Sequence, residues 1–383
     1  YPAQRASLRL PERTRLAYSG PSSHHLLRLP GQVISVHRFM KALELISSST
    51  FELVEKATPV PGPDDLLIAV KACGICGSDI HGMDGSSGRR IPPLVMGHEA
   101  AGVIEDCGSN VIGWTEGDRV TFDSTIYCGK CDYCRAGRVN LCVDREVLGV
   151  STTDFRRQGA FADYVVVPSR ICHRIPEGLP FEEAAFAEPV SVALHAVNRA
   201  HIAEGESAVV VGAGLIGLLV IQSLRRSGCR NIIAIDLAEE RLKLALQLGA
   251  SSAFRPDHDD LQNTIRSLTG GEGPEVVLEV VGISSTVELA VNLVRKGGRV
   301  CLVGNLAPSV QFPLQAAVTR ELDILGSCAI NGEYPDAIAA IAAGEIDVRA
   351  LTSCVVPLAE GASWFSRLES GKESLLKVIL QPG

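Results

Sequence analysis

The sequence predicts an α/β protein of two domains whose second half is a doubly wound parallel sheet. Three observations predict it. The chain has 383 residues, too many for one ordinary domain and suited to two. From Ser207 onward, short apolar β-rich runs alternate with helical periods, the pattern of a parallel sheet. Between the first run and its helix stands Gly212-Ala213-Gly214-Leu215-Ile216-Gly217, a glycine fingerprint in the strand-to-helix setting that gives it meaning.

Composition narrows the function classes. Apolar residues make up 46% and charged residues 21%, which permits a sizeable core and excludes disordered and fibrous chains. A net charge of -8 with no broad basic field argues against a nucleic-acid partner. The longest apolar stretch, Ala208 to Gln222, holds three glycines and falls short of a membrane span. Twelve cysteines in a long chain with no hydrophobic signal core read as reduced, metal-binding thiols in the cytoplasm.

Residues 1–39 stand apart. They hold six arginines, no lysine and one acid, Glu12, and the first methionine is Met40. The segment is expected to be disordered or to be upstream sequence from a mis-called start. A transit peptide, Arg- and Ser-rich and acid-poor, ranks second. A terminal arm packed on a partner ranks third.

Chemistry begins at Gly74-Ile75-Cys76-Gly77-Ser78-Asp79-Ile80-His81, followed by Gly97-His98-Glu99. Together these offer a thiolate, an imidazole and carboxylates, a mix that suits zinc with an open position. Taken singly, a buried cysteine or histidine is more often packing. Cys128, Cys131, Cys134 and Cys142 then fall within 15 residues. Four thiolates can close a tetrahedron around a structural zinc and pin a loop with little core of its own. An iron–sulfur cluster or free thiols are the competing readings.

The cofactor half follows. Ser207–Val211 reads as a buried strand, and a helix runs to Arg226. Gly212 permits the tight turn, Gly214 lets the backbone approach a pyrophosphate, and Gly217 lets helix and strand sit close. Free N–H groups at the helix start, at Leu215 and Ile216, face the phosphates. Asn231–Ile235 is a second strand ending at Asp236, 24 positions after Gly212. An acid there holds the adenosine ribose hydroxyls and repels a 2′-phosphate, which favours NAD over NADP. Arg241 on the next helix is a ribose contact or a solvated charge. Glu275–Val281 and Gly298–Val303 read as further strands, with a helix from Thr286 to Arg295 between them.

In this order the motifs resemble those of the zinc-dependent medium-chain dehydrogenases, in the polyol (sorbitol or L-iditol) branch. Gly117-Asp118-Arg119-Val120, Glu188-Pro189 and Arg320-Glu321 belong to the same likeness, which covers residues 40–383. The resemblance implies a GroES-like β-rich catalytic domain from 40–190 and 328–383, and a Rossmann NAD-binding domain from 191–327. It implies two zinc ions per subunit, NAD, and oxidation of a secondary alcohol of a polyol to a ketose. Cys76 and His98 would ligate the catalytic zinc, and the remaining place goes to Glu99 or Glu188. A helix-start charge beside Pro189 is the plain alternative for Glu188. Ser78 would start a proton relay, His81 would be a later member, and Asp79 would orient a ligand. Arg320 would meet a substrate hydroxyl or pair with Glu321. Gly82 stands where the branch often has an aromatic residue, which opens the pocket wall. Arg89-Arg90 would meet an anionic substrate or form a solvated loop. L-threonine, a galactonate-like sugar acid and a polyol phosphate are alternative substrates, and a non-catalytic dinucleotide-binding protein is the rival class. A homotetramer or homodimer is expected, with neither membrane nor nucleic acid as partner.

Overall fold

A computed structural model describes residues 26–29, 32–35 and 38–383. The expectation for residues 1–39 falls for the most part outside the described residues. Within that span, Leu26–Leu29 and Gln32–Ser35 pair as an antiparallel ribbon. From Phe39 the chain forms its own body of contacts.

Strand Asp65–Gly74 organises the first domain. Its run of Leu, Ile, Ala and Val is buried on both faces, as expected for a strand inside a covered sheet. One edge pairs antiparallel with Glu99–Cys107, which leads on to Arg119–Phe122 and Cys172–Arg174. The other edge takes Tyr164–Pro168 near its start and Lys377–Gln381 at its end. Thr352–Pro357 lies beyond that last strand. A smaller sheet of Phe39–Ser47, Thr50–Ala57 and Leu94–Val95 closes the barrel-like core. Leu43, Leu45 and Leu94 meet Val70, Phe161 and Leu380 there.

The second domain is a six-stranded, all-parallel sheet. Its spatial order is Ser252–Phe254, Asn231–Ile235, Ser207–Val211, Val276–Glu279, Arg299–Leu302 and Asp323–Gly326. That is the doubly wound order, with its reversal beside Ser207–Val211. Alternation along this strand covers both faces. Ala208 and Val210 pack with the helices Ala187–Arg199, Leu215–Arg226 and Tyr334–Ala342. Val209 and Val211 pack with Leu261–Leu268 and Ser284–Leu293.

Helix Tyr334–Ala342 follows the boundary expected at 328. Its Ala337, Ile338 and Ile341 are buried in a core shared with Leu218 and Val220 of the second domain and with Ala72, Ala101 and Ile379 of the first sheet, and the chain rejoins that sheet at Thr352–Pro357. Tyr334 ties the domains together: its hydroxyl donates to the Phe122 carbonyl, and its ring stacks on His173 at 4.8 Å. Among the described residues no helix is long and apolar enough to cross a membrane.

Candidate active site

Strand register builds the first cluster. Gly74 pairs with Glu99, so Cys76, just past one strand, lies beside His98, just before the other. Cys76 caps the short helix Gly77–Gly82. A thiol, an imidazole and a carboxylate oxygen from Cys76, His98 and Glu99 lie within 4.8 Å of one another. His98 and Glu99 are buried and Cys76 is half-buried. This soft and hard donor set fits zinc.

Each ligand candidate is braced. Asp79 Oδ2 accepts from the Cys76 N–H at 3.2 Å, and Asp79 Oδ1 lies 3.5 Å from His98 Nδ1. Burial works against the Asp79 charge, but His98 and Arg90 outweigh it and hold the carboxyl at about 2. Glu99 is paired with Lys377, whose ammonium also donates to the Ile75 carbonyl at 2.9 Å. Glu188 comes from the first turn of Ala187–Arg199 and lies outside the tight cluster. Its Oε1 accepts from Ser124 Oγ at 3.3 Å. Burial pushes Glu188 up to about 7, opposed by His98 and aided by Glu99 and Asp123.

Other expected site residues are placed as follows. Ser78 and His81 lie exposed on the short helix after Cys76. Arg320 is not brought to the cluster. Its guanidinium donates to the carbonyls of Val291, at 2.7 Å, and Val294, capping the orphan end of helix Ser284–Leu293. Arg90 is neither a solvated loop charge nor a free anion site: it is 4% exposed and bonded to Asp79 at 3.0 Å. Gly82 does not leave an open wall, because the Arg90 stem and Ser87 fill the space over it. Arg89 is exposed. Sequence reasoning missed the Lys377 and Ser124 roles. The signal for Lys377 was a single charge inside the apolar run Leu375 to Leu380.

The four cysteines of the lobe come together. Sulfurs of Cys128, Cys131, Cys134 and Cys142 all lie within 4.8 Å of one another. Backbone N–H groups of Cys134 and Val143 bring the Cys131 thiol down to about 6. Burial and the contact with Cys131 push Cys134 up to about 12. Thiols so close cannot all ionise until a cation neutralises them, which fits a closed structural site.

The glycine turn fits a dinucleotide. Gly212 has φ +101°, a conformation that glycine adopts without strain. A Cβ on Gly217 would collide with the Gly212 carbonyl. A Cβ on Gly214 would meet nothing within 4 Å, so the space over it is free for a phosphate group. Gly214 caps helix Leu215–Arg226, presenting the first N–H groups at Leu215 and Ile216. Asp236 ends its strand, accepting from the N–H of Ala213 at 2.7 Å and of Ala238 at 2.9 Å. Arg241 is half-buried on the following helix.

A β-rich domain with a zinc-type cluster, joined to a doubly wound cofactor domain, defines a zinc-binding dehydrogenase. Two family models match: the alcohol dehydrogenase GroES-like domain over residues 62–177, and the zinc-binding dehydrogenase over residues 216–343. L-idonate 5-dehydrogenase of Vitis vinifera is 35% identical over 314 residues, covering 80% of this chain and 85% of its own. D-xylulose reductase A of Aspergillus niger is 35% identical over 325 residues, covering 82% and 90%. A protein of Sinorhizobium meliloti 1021 described as a zinc-binding dehydrogenase, solved bound to NADP, superposes with a TM-score of 0.83 at 33% identity, covering 90% of this chain and 100% of that one. The chain belongs to the zinc-dependent medium-chain dehydrogenase family, in its polyol dehydrogenase branch. It is an oxidoreductase.

Proposed function

We propose that the protein oxidises a secondary alcohol of a polyol to a ketone with NAD as hydride acceptor. In this reading Cys76, His98 and Glu99 hold a catalytic zinc, with Glu188 one shell further out. The observation that supports it most is the meeting of thiol, imidazole and carboxylate within 4.8 Å. When bound, the zinc supplies a Lewis acid for the alcohol oxygen and NAD takes the hydride.

The chain's own residues do the rest. Asp79 orients Cys76 and His98, and Lys377 orients Glu99. Glu188, near neutrality at about 7, holds or releases a proton beside the cluster. Ser78 and His81, exposed on the first helix, pass the substrate proton outward. Leu215, Ile216 and the glycine turn receive the pyrophosphate, and Asp236 receives the ribose with Arg241 nearby. The Asp236 carboxylate favours NAD, since it repels a 2′-phosphate. Cys128, Cys131, Cys134 and Cys142 hold a structural zinc. The likeness to L-idonate 5-dehydrogenase supports a second reading, a sugar acid as substrate, with Arg89 the exposed cation of the Arg89-Arg90 pair. A homotetramer or homodimer, testable by sedimentation, completes the proposal; the twelve cysteines free of disulfides support a reducing compartment, the cytoplasm.

The test follows NADH absorbance with zinc-replete protein, NAD and a panel of sorbitol, L-iditol, galactitol, L-idonate and L-threonine. A rate with a neutral polyol, abolished in Cys76→Ala, is expected. A rate confined to the carboxylate-bearing substrates overturns the neutral-polyol assignment and favours the second reading.

A further inference from the structure

Arg90 carries a charge into the interior at 4% exposure. Its Nη2 donates to Asp79 Oδ1 at 3.0 Å and its Nη1 to the Arg89 carbonyl at 3.1 Å. Its Nε is buried without a partner. Arginine is seldom buried unless a carboxylate compensates it, and here the carboxylate is Asp79, itself fully buried. The two oxygens of Asp79 are divided between the proposed metal ligands. Oδ2 takes the Cys76 N–H at 3.2 Å, and Oδ1 faces His98 Nδ1 at 3.5 Å. One carboxylate therefore touches both Cys76 and His98, and one buried cation holds that carboxylate.

Room for this arginine exists because residue 82 is glycine. A Cβ at Gly82 would lie 3.0 Å from Arg90 Cγ and 3.0 Å from Ser87 Oγ. Such contacts are tight enough that a neighbour must move. Gly82 ends the same short helix that carries Asp79. The aliphatic stem thus lies over the glycine while the head reaches the acid, the usual division of a long cationic side chain. Gly82 and Arg90 are two halves of one packing solution.

We propose that Arg90 is a positioning residue for the metal cluster: seated over Gly82, it locks Asp79 so that the His98 ring and the Cys76 loop are held in ligating geometry. This rests on the reading of Cys76, His98 and Glu99 as a metal site. By sharing the Asp79 charge, Arg90 also tempers the basicity that the carboxylate lends to the imidazole.

Wild type, Arg90→Met, Arg90→Lys, Asp79→Asn and the double variant Asp79→Asn/Arg90→Met test it. Two readouts serve: the rate of zinc release to a chromophoric chelator, and the visible spectrum of cobalt(II)-loaded protein. Arg90→Met is expected to release the cluster zinc ~10–100-fold faster and to shift the cobalt bands. Arg90→Lys, which keeps the charge and the stem, restores most of both. The double variant releases zinc no faster than Asp79→Asn alone, because the arginine acts through that carboxylate. Additive losses in the double variant overturn the route through Asp79. Wild-type release and an unshifted spectrum in Arg90→Met overturn the positioning role while the metal site stands. A wild-type protein that holds metal only in the cysteine lobe overturns the metal-site reading, and this proposal falls with it. Should Arg90→Met fail to fold, Gly82→Ala presses on the same stem without removing charge. Faster zinc release is expected there, and unchanged release overturns the proposal.

Discussion

Gly214→Ala separates stability from cofactor binding. The residue has φ −70° and ψ −172°, a conformation open to alanine. Its Cβ would meet no protein atom within 4 Å. The substitution removes backbone freedom from the unfolded chain, so the cofactor-free protein should gain ~0.4–1 kcal/mol. For a chain of this length that raises the melting temperature by about 1 °C. The same methyl group enters the space where a pyrophosphate must approach the N–H groups of Leu215 and Ile216. Losing one or two charge-assisted hydrogen bonds, each about 1.5–3 kcal/mol, weakens NADH by at least ~10-fold. Fluorescence titration of NADH and a thermal melt of the cofactor-free protein read the two effects separately. Gly217→Ala is the contrasting control, since its Cβ collides with the Gly212 carbonyl and should lower the melt even without cofactor. Wild-type NADH affinity in Gly214→Ala would show that the phosphates do not sit on this turn. A melt lowered by several degrees would show that the space is not free.

Three further outcomes are expected. Asp236→Ala should cut kcat/KM with NAD more than with NADP, and an unchanged NAD/NADP ratio refutes the ribose role. In metal-free protein, burial sets the folded pKa of Glu188 at about 7, above its unfolded value near ~4.3. The native state then binds a proton that the unfolded chain has released, so stability falls as pH rises from about 4.3 to about 7, by about 4 kcal/mol. Asp123, raised by burial to about 6, acts in the same direction. Glu188→Gln should flatten the slope in urea unfolding of chelator-treated protein, and equal slopes sink the assignment. Lys377→Met strands a buried carboxylate and should cost ~3–5 kcal/mol. Adding Glu99→Gln should recover much of that loss in a thermal melt, and no recovery would mean that the two side chains do not act as a pair.

The cofactor domain was the most legible part, because its signals are local. The apolar runs Ser207–Val211 and Asn231–Ile235 end at a glycine and an aspartate, and the strands stop at the same residues. The following helix starts at Leu215, three residues before the periodic pattern is evident, since Gly217 sits in its first turn. The cysteine lobe was legible for the same reason: four thiols in one short loop need no long-range contact. Cys76 and His98 lie 22 positions apart, and only the antiparallel register of two strands makes them neighbours. Arg90 and Lys377 were illegible in role because burial, not sequence, turns a charge into a brace. The apparent vacancy at Gly82 was misread because its filler comes from eight residues on. The placement of Arg320 on the carbonyls of Val291 and Val294 was illegible because an Arg-Glu pair does not reveal which helix end lies within its reach.

Strand Lys377–Gln381 inserts between Asp65–Gly74 and Thr352–Pro357 in the first sheet. This makes order of synthesis matter. Cys76, His98 and Glu99 are all synthesised at least 278 residues before Lys377, counting from Glu99. Meanwhile the inserted cofactor domain has all six of its strands by Gly326 and the helix packed on them by Ala342, and can fold as a unit. A nascent chain would therefore be able to bind nucleotide before it could seat Glu99. Dehydrogenase competence waits for the strand that carries Lys377, so a chain cut before that residue would keep the cofactor half and lose the brace on its metal cluster.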